Sequence, residues 1–371
     1  MIEFESASGE PLPGSSPKTS SLPAQAGLKI KILGVGGAGC NILSRLNASF
    51  SSEIESVVIN TDIRSLERCT VKKKFQLGKA ITRGWGTGGN PEIGRRIALE
   101  EKEKLKQILE GTNLVCLVFG LGKGTGTGVS PIVAQLAKEV GSLSMGFIIL
   151  PFHFEGEKRV NLAKETLPEL EKILDTLMVI PNDILLEDVE KDPSLEKGFR
   201  RIDKILKEAT QVLGDLLLYP GLIDLDFADF KALLQKKGHI QIAMGKGAGE
   251  QAAQDAAKQA ISFPLLGKFS PKRTKGVLFN IRGGKNLNLF EVEKAASIIK
   301  EAVPRGTEVT FGASIDKSLS NEVTLGLMAV GGEIVSKTES RKKKEFYQSE
   351  LDLKVYDDDL DIPTFLRKRK N

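Results

Sequence analysis

Four short apolar runs, "LKIKILGVG", "IESVVINTD", "LVCLVFGLG" and "LSMGFIILPF", recur between Leu28 and Phe152, with helical stretches between them. Runs of this length read as strands buried on both faces, and such strands alternating with helices build a parallel sheet covered by helices. Of the intervening segments, "NPEIGRRIALEEKEKLKQILEG" has Pro91 near its start and Gly111 after its last turn, and "VSPIVAQLAKEVG" also keeps helical spacing. In open α/β sheets ligands bind beyond the carboxyl ends of the strands, so the loops there are where chemistry is to be sought.

Further on, "GFRRIDKILKEATQVLGDLLLYPG" places Ile202, Ile205, Leu206, Ala209, Val212, Leu213, Leu216 and Leu217 on one helical stripe and stops at Pro220-Gly221. This long helix is read as the seam between two domains. Beyond it "GVLFNIRGG", "GTEVTFGASID" and "NEVTLGLMAVG" read as strands, with "GEQAAQDAAKQAIS" and "LFEVEKAASIIKEAV" as helices. The expected fold class is α/β: a Rossmann-like parallel-sheet nucleotide-binding domain joined by a long central helix to a smaller α/β domain. The boundaries are a disordered leader over 1–27, the first domain over 28–197, the helix over 198–221 and the second domain over 222–335. A flexible linker over 336–357 and a terminal peptide over 358–371 follow.

Composition removes several classes. At 371 residues, 40% hydrophobic and 27% charged, the chain buries two ordinary cores and stays solvated. The net charge of +5 arises largely near the C-terminus and gives little support to a nucleic-acid role. Cys40, Cys69 and Cys116 lack metal-ligand spacing and read as reduced structural thiols, and two histidines, His153 and His239, are too few for a zinc site. The N-terminus has no apolar central region of a secretory signal, and no apolar run reaches the roughly 20 residues of a membrane span. The expectation is a cytoplasmic protein that meets a membrane only through a partner.

Two glycine clusters carry the chemistry. "GVGGAGCN", Gly34 to Asn41, follows a strand and opens a helix, a setting in which backbone N–H groups cradle a phosphate. Alone it also fits a dinucleotide fold, with "NTD" (Asn60 to Asp62) supplying a ribose-binding acid, or mere tight strand-helix packing. The second, "GLGKGTGTG", residues 120 to 128, again sits between a strand and a helix, and a dehydrogenase has no evident use for it. Two cradles on neighbouring strands suit a nucleotide with several phosphates, and Thr125 and Thr127 add small hydroxyl donors. The pattern is not a P-loop, because Lys123 is not followed by Ser or Thr at the required spacing.

The series "GVGGAGCN", "VINTD", "TRGWGTGGNPEIGRR", "GTGTG", "PFHFEGEKR", "IPND" and "PGLIDLDFADFK" resembles the tubulin/FtsZ GTPase family, in its order and close to its spacing, through most of the chain. The resemblance implies the tubulin/FtsZ fold and a GTP/GDP site with Mg²⁺ held mainly by phosphates rather than by a protein cage. It implies that Gly36, Gly37, Gly39 and Asn41 line phosphates and base, and that Gly122, Lys123, Gly124, Thr125, Gly126, Thr127 and Gly128 wrap the phosphates. Glu155 and Arg159 would hold the ribose and phosphate side, and Asn182 would contact guanine. Phe199 and Asp203, four apart on the long helix, share a face where an aromatic stacks on a purine and a carboxylate accepts from guanine N1 and N2.

"DLDFAD" follows the long helix, and in this family that loop serves the nucleotide of the next subunit. Asp226 and Asp229 would orient the attacking water, with Asp224 beside them, and the apolar Leu225 and Phe227 suit an interface loop. Head-to-tail filaments, a division ring at midcell and GTP hydrolysis at the subunit junction follow as implications. Two positions depart from the family: Asp224 stands where asparagine is usual, and Lys123 occupies a glycine position. The first implies slowed hydrolysis or a stronger need for cation, unless Asp224 substitutes adequately as a hydrogen-bond acceptor, and it keeps open a GTP-binding paralogue that co-assembles with or regulates another filament. The terminal "DDLDIPTFLRKRKN" resembles the family's partner peptide, with Leu360, Asp361, Ile362, Pro363, Phe365 and Leu366 binding a membrane tether resembling FtsA or ZipA.

Overall fold

Strands β1 (Ile30–Val35) and β4 (Leu114–Gly120) lie side by side in parallel, almost fully buried on both faces. β2 (Ile54–Asn60) and β3 (Lys73–Gln76) extend the sheet on one side, and β5 (Leu143–Leu150) and β6 (Thr176–Pro181) on the other, all in parallel. The computed structural model describes residues 27–47, 50–183, 195–218, 221–262 and 274–332. The leader, the linker and the terminal partner peptide expected from the sequence lie outside them, except for Gly27.

The sheet does not stop at the expected seam. β7 (Gly238–Ala248) joins β6 through two register pairs, Thr176 with Gly238 and Leu177 with His239, and pairs antiparallel with β10 (Glu322–Gly332). β8 (Gly276–Gly283) and β9 (Glu308–Ile315) complete a ten-stranded order β3-β2-β1-β4-β5-β6-β7-β10-β8-β9. The two halves are thus joined by the long helix and also by sheet hydrogen bonds.

The helices in chain order are α1 (Gly36–Leu46), α2 (Ile63–Arg68), α3 (Lys79–Thr82), α4 (Pro91–Glu100), α5 (Lys102–Leu109), α6 (Gly124–Glu139), α7 (Glu157–Ile173), α8 (Leu195–Leu217), α9 (Phe227–Gln235), α10 (Ala252–Ser262) and α11 (Leu289–Ala302). The two-residue side-chain period of the strands sorts them into layers. Ile32, Cys116 and Leu278 face α1, α8 and α9, whereas Leu33, Leu117 and Phe119 face α4 to α7, and Phe279 and Leu327 face α10 and α11. The whole apolar stripe expected on the long helix is buried. Each such leucine or phenylalanine contributes about 1.5–3 kcal/mol relative to exposure.

The single helix expected from Pro91 onward is two. It breaks at Glu101 (φ −102°, ψ 26°), whose carboxylate accepts the Gly78 N–H and pairs with Lys104. Among the described residues no helix is long and apolar enough to cross a membrane.

Candidate functional site

Parallel register brings the carboxyl ends of five strands to one edge. Val35 partners Ile59 and Phe119, Gly120 partners Ile149, and Leu150 partners Pro181. α1 and α6 both begin there, and neither N-terminus has a side-chain cap. Their first N–H groups are left for an external acceptor, and the aligned peptide dipoles favour an anion.

The loops touch one another. Gly36 has φ +69°, and a Cβ on it would stand 3.0 Å from Gly126 N and 3.3 Å from the Thr125 Cβ. Thr61 and Thr125 hydroxyls form a buried hydrogen bond at 2.8 Å, and Asn60 Oδ1 accepts from Thr61 N, also at 2.8 Å. Gly122, at φ +88°, lets the loop pass Arg159, whose carbonyl oxygen would be 2.8 Å from a Cβ there.

The glycines need a fuller account than phosphate binding. Gly124, Gly126 and Gly128 lie inside the first turns of α6 rather than in a loop before it. A Cβ on them would overlap Thr87 Oγ1, the Gly120 carbonyl and the Pro91 carbonyl respectively, and one on Gly39 would overlap the Val118 carbonyl. These positions are fixed by protein packing, which also sets the helix N-terminus close against its neighbours. Gly37 differs from them in having open space where a Cβ would stand. Lys123 is exposed at the α6 N-cap in an extended conformation that lysine adopts without strain, and makes no ion pair among the described residues. Asn41 is also exposed, on the first turns of α1.

Two polar atoms at this edge are buried without a hydrogen-bond partner among the described residues: Thr127 Oγ1 and Asn182 Oδ1, on residues only 3% and 8% exposed. Orphaned atoms of this kind cost about 1–3 kcal/mol each unless a ligand or water satisfies them. With the uncapped helix ends, they fit a nucleotide phosphate beside Thr127 and a polar group beside Asn182. Glu155 and Arg159 pair with each other at 2.6 Å at the start of α7, and Glu155 Oε1 accepts from Phe152 N at 3.2 Å. His153 and Asp183 form an ion-pair contact that ties the loop after β5 to the one after β6.

The expected guanine pair is only partly seen. Phe199 lies in α8, but its side chain is outside the described residues. Asp203 is not the open acceptor expected: Arg45, in the last turn of α1, donates Nε to Oδ2 at 2.6 Å and Nη2 to Oδ1 at 2.8 Å. Two helices packed side by side put a cation opposite a carboxylate that helical spacing alone had left free. Asp62, the candidate ribose acid of the alternative reading, caps α2 by accepting from Arg64 N and Ser65 N.

The acidic loop lies elsewhere. From Asp203 to Leu217 α8 runs fourteen more residues, about 21 Å at 1.5 Å per residue, before residues 221–226 cross to the edge strand β9. There Leu222 N and Ile223 N donate to Ala313 O at 2.7 and 3.2 Å. Asp226 is the N-cap of α9 yet makes no side-chain cap bond, and Asp229 sits exposed in its first turn. Asp224 turns one oxygen onto its own loop, accepting from Gly221 N at 2.6 Å, a task an asparagine oxygen performs equally. Within the chain Leu225, expected at an interface, is 7% exposed in the core, and the half-buried Phe227 stacks on Phe230. The exposed apolar residues of this loop are Leu222 at 79% and Ile223 at 37%, which strand-free spacing did not distinguish. Among the described residues no three acidic, histidine or cysteine side chains cluster as a cation cage.

Sequence reasoning missed Arg45, Thr61 and Thr87. Thr61 was within reach, since it is polar at the end of a buried strand and beside the glycine edge. Arg45 and Thr87 gave no local signal.

The "Tubulin/FtsZ family, GTPase domain" model matches residues 29–190, and the "FtsZ family, C-terminal domain" model matches 238–333. The chain is similar to the structure described as an empty FtsZ dimer from M. jannaschii, at 36% identity and TM-score 0.72, over 83% of this chain and 89% of that one. It shares its fold with CetZ2 from Haloferax volcanii, described as a GTPgS-bound protofilament, at 20% identity and TM-score 0.71, over 84% and 96%. CetZ1 from Haloferax volcanii, described as a GDP-bound monomer, gives 20% identity and TM-score 0.70, over 84% and 97%. With its glycine-lined strand edge, its long α8 and both halves matched in order, the chain belongs to the tubulin/FtsZ family of GTPases.

Proposed function

We propose that this chain is a GTP-dependent cytoskeletal protein that assembles head to tail and hydrolyses GTP at the junction between subunits, building a division ring. The observation that carries this reading is the distance of about 21 Å along α8 from Asp203, read as the guanine acceptor, to the helix end that leads into the acidic loop. Carboxylates so placed cannot act on a nucleotide held by their own chain. They can act on one presented by the next.

In the junction, α1 and α6 would hold the phosphates by their N-terminal N–H groups, with Thr127 completing the hydrogen-bond set. Asp226, whose side chain is not used in capping, and Asp229 would orient and polarise the attacking water, while a Mg²⁺ ion held mainly by phosphate oxygens offsets their charge. Exposed apolar side chains at both ends support stacking of copies: Trp85 and Phe154 on loops of the strand edge, 71% and 70% exposed, and Leu222 on the acidic loop. Two different patches that meet in a non-closing contact generate a filament. Membrane attachment at midcell would run through the terminal peptide around Leu360 to Leu366, a proposal that rests on its apolar core between charged flanks.

The test is phosphate release from GTP with Mg²⁺ across a protein concentration series, followed in parallel by light scattering. Turnover per subunit should rise steeply at the concentration where scattering begins. Turnover that is constant per subunit down to the lowest concentration would refute the shared site. A fluorescent fusion spread evenly through dividing cells would refute the ring.

A further inference from the structure

The Arg45–Asp203 pair carries an inference about how the nucleotide site is regulated, and it rests on the reading of Asp203 as the guanine acceptor. The guanidinium meets the carboxylate side-on, Nε to Oδ2 at 2.6 Å and Nη2 to Oδ1 at 2.8 Å, and Asp203 is 9% exposed. Arg45 lies one turn beyond Asn41 on α1, and Asp203 one turn beyond Phe199 on α8. The pair therefore bolts together the two helices that the guanine reading places on either side of the base.

A carboxylate offers one edge, with one inward lone pair on each oxygen, to a planar fork of two donors. Arg45 fills that edge. Guanine N1–H and N2–H form a second planar fork that needs the same edge, so the two cannot both be held bidentately. Hypoxanthine has only the N1–H, and adenine presents an acceptor at N1. Neither can replace both bonds that Arg45 gives up.

We propose that Arg45 is a latch on Asp203 that the guanine base displaces, so that base recognition, beyond phosphate binding, releases α8 from α1. The displaced guanidinium has an outlet, because the Arg45 side chain is already 42% exposed. The consequence reaches the far end of the same helix, which leads into the loop bearing Asp224, Asp226 and Asp229. Arg45 is then a residue that lowers guanine-nucleotide affinity and makes the release of α8 from α1 depend on the base.

The experiment is calorimetric titration of the nucleotide-free full chain with GDP, IDP and ADP, for the unaltered protein and for Arg45→Met, Arg45→Lys and Asp203→Ala. Arg45→Met should tighten GDP about tenfold, the order expected for removing a competing charge-assisted fork, and tighten IDP by clearly less, because its single N1–H makes one bond to the freed carboxylate. Arg45→Lys, which keeps the charge without the fork and is the variant to rely on if the methionine form folds poorly, should tighten GDP by less. Asp203→Ala should bring GDP and IDP to similar affinity. GDP binding that is weakened or unchanged by the Arg45 variants would overturn the latch, as would equal tightening of GDP and IDP. An unaltered chain that binds ADP as tightly as GDP would instead sink the guanine reading of Asp203, a failure separable from that of the latch alone.

Discussion

Thr127 is the residue at which stability and binding should move in opposite directions. Its side-chain oxygen is buried in the first turns of α6, on a residue 3% exposed, and has no hydrogen-bond partner. Valine has nearly the same shape without the hydroxyl. An orphaned hydroxyl costs about 1–3 kcal/mol, so Thr127→Val should stabilise the nucleotide-free protein by about 1 kcal/mol, or about 2 °C in melting temperature at this size. If the hydroxyl instead donates to a phosphate when nucleotide is bound, its loss removes a hydrogen bond to a charged group worth about 1.5–3 kcal/mol. GTP and GDP should then bind roughly tenfold to a hundredfold more weakly. The assay pairs a thermal melt without nucleotide with calorimetric titration of GDP. A lower melting temperature would mean the hydroxyl has an internal partner, and an unchanged affinity would mean that α6 does not hold the phosphates through it. Either result refutes the placement.

Asp226→Asn and Asp229→Asn should each lower phosphate release by at least about a hundredfold while leaving GDP affinity within about twofold, because these side chains are remote from their own chain's glycine edge. Equilibrium dialysis against labelled GDP checks the second half of that statement. A pH effect is expected around Arg282, which pairs with both Asp215 and Asp316. Burial pushes the Asp215 carboxyl up despite Arg282, whereas at Asp316 the burial penalty is outweighed by hydrogen bonds from Ser318 and by Arg282, which hold it below the usual range. A depressed folded pKa gives stability that is present above the unfolded pKa near 3.8 and is lost as pH falls through the folded value; a raised one works against stability as pH climbs through it. Asp316→Asn should therefore be destabilising at pH 7 and progressively less so as pH falls below about 3.8, and Asp215→Asn should cost less at pH 7, by denaturant titration across that range. Burial pushes the Cys40 and Cys116 thiols up to about 12, so both should resist alkylation at pH 8 until the protein unfolds, as followed by mass spectrometry.

Much of the fold was legible because buried parallel strands leave continuous apolar runs that need no tertiary information to read. Three strands escaped notice: β3, the polar edge strand "KKFQ", β7, whose glycines and alternating burial blur its run, and β6, "TLMVIP", whose short apolar run follows the end of α7 after only two residues. The long helix was clear from its stripe because its apolar positions from Ile202 to Leu217 are buried together in one core.

The sequence by itself determined that glycines crowd the ends of two neighbouring strands, that a long amphipathic helix follows, and that acids cluster beyond it. Tertiary structure alone decided what those residues do. Gly124, Gly126 and Gly128 are small because the Thr87 side chain, the Gly120 carbonyl and the Pro91 carbonyl occupy the space of their Cβ atoms, which no local pattern records. Leu225 turns inward and Leu222 outward because the loop hydrogen-bonds to Ala313, ninety residues away in the chain. Asp203 meets Arg45 across a separation of 158 residues, so its partner depends on how α1 and α8 pack. Periodicity reports which face of an element is buried, whereas close approaches and ion pairs depend on which other element comes to lie against it.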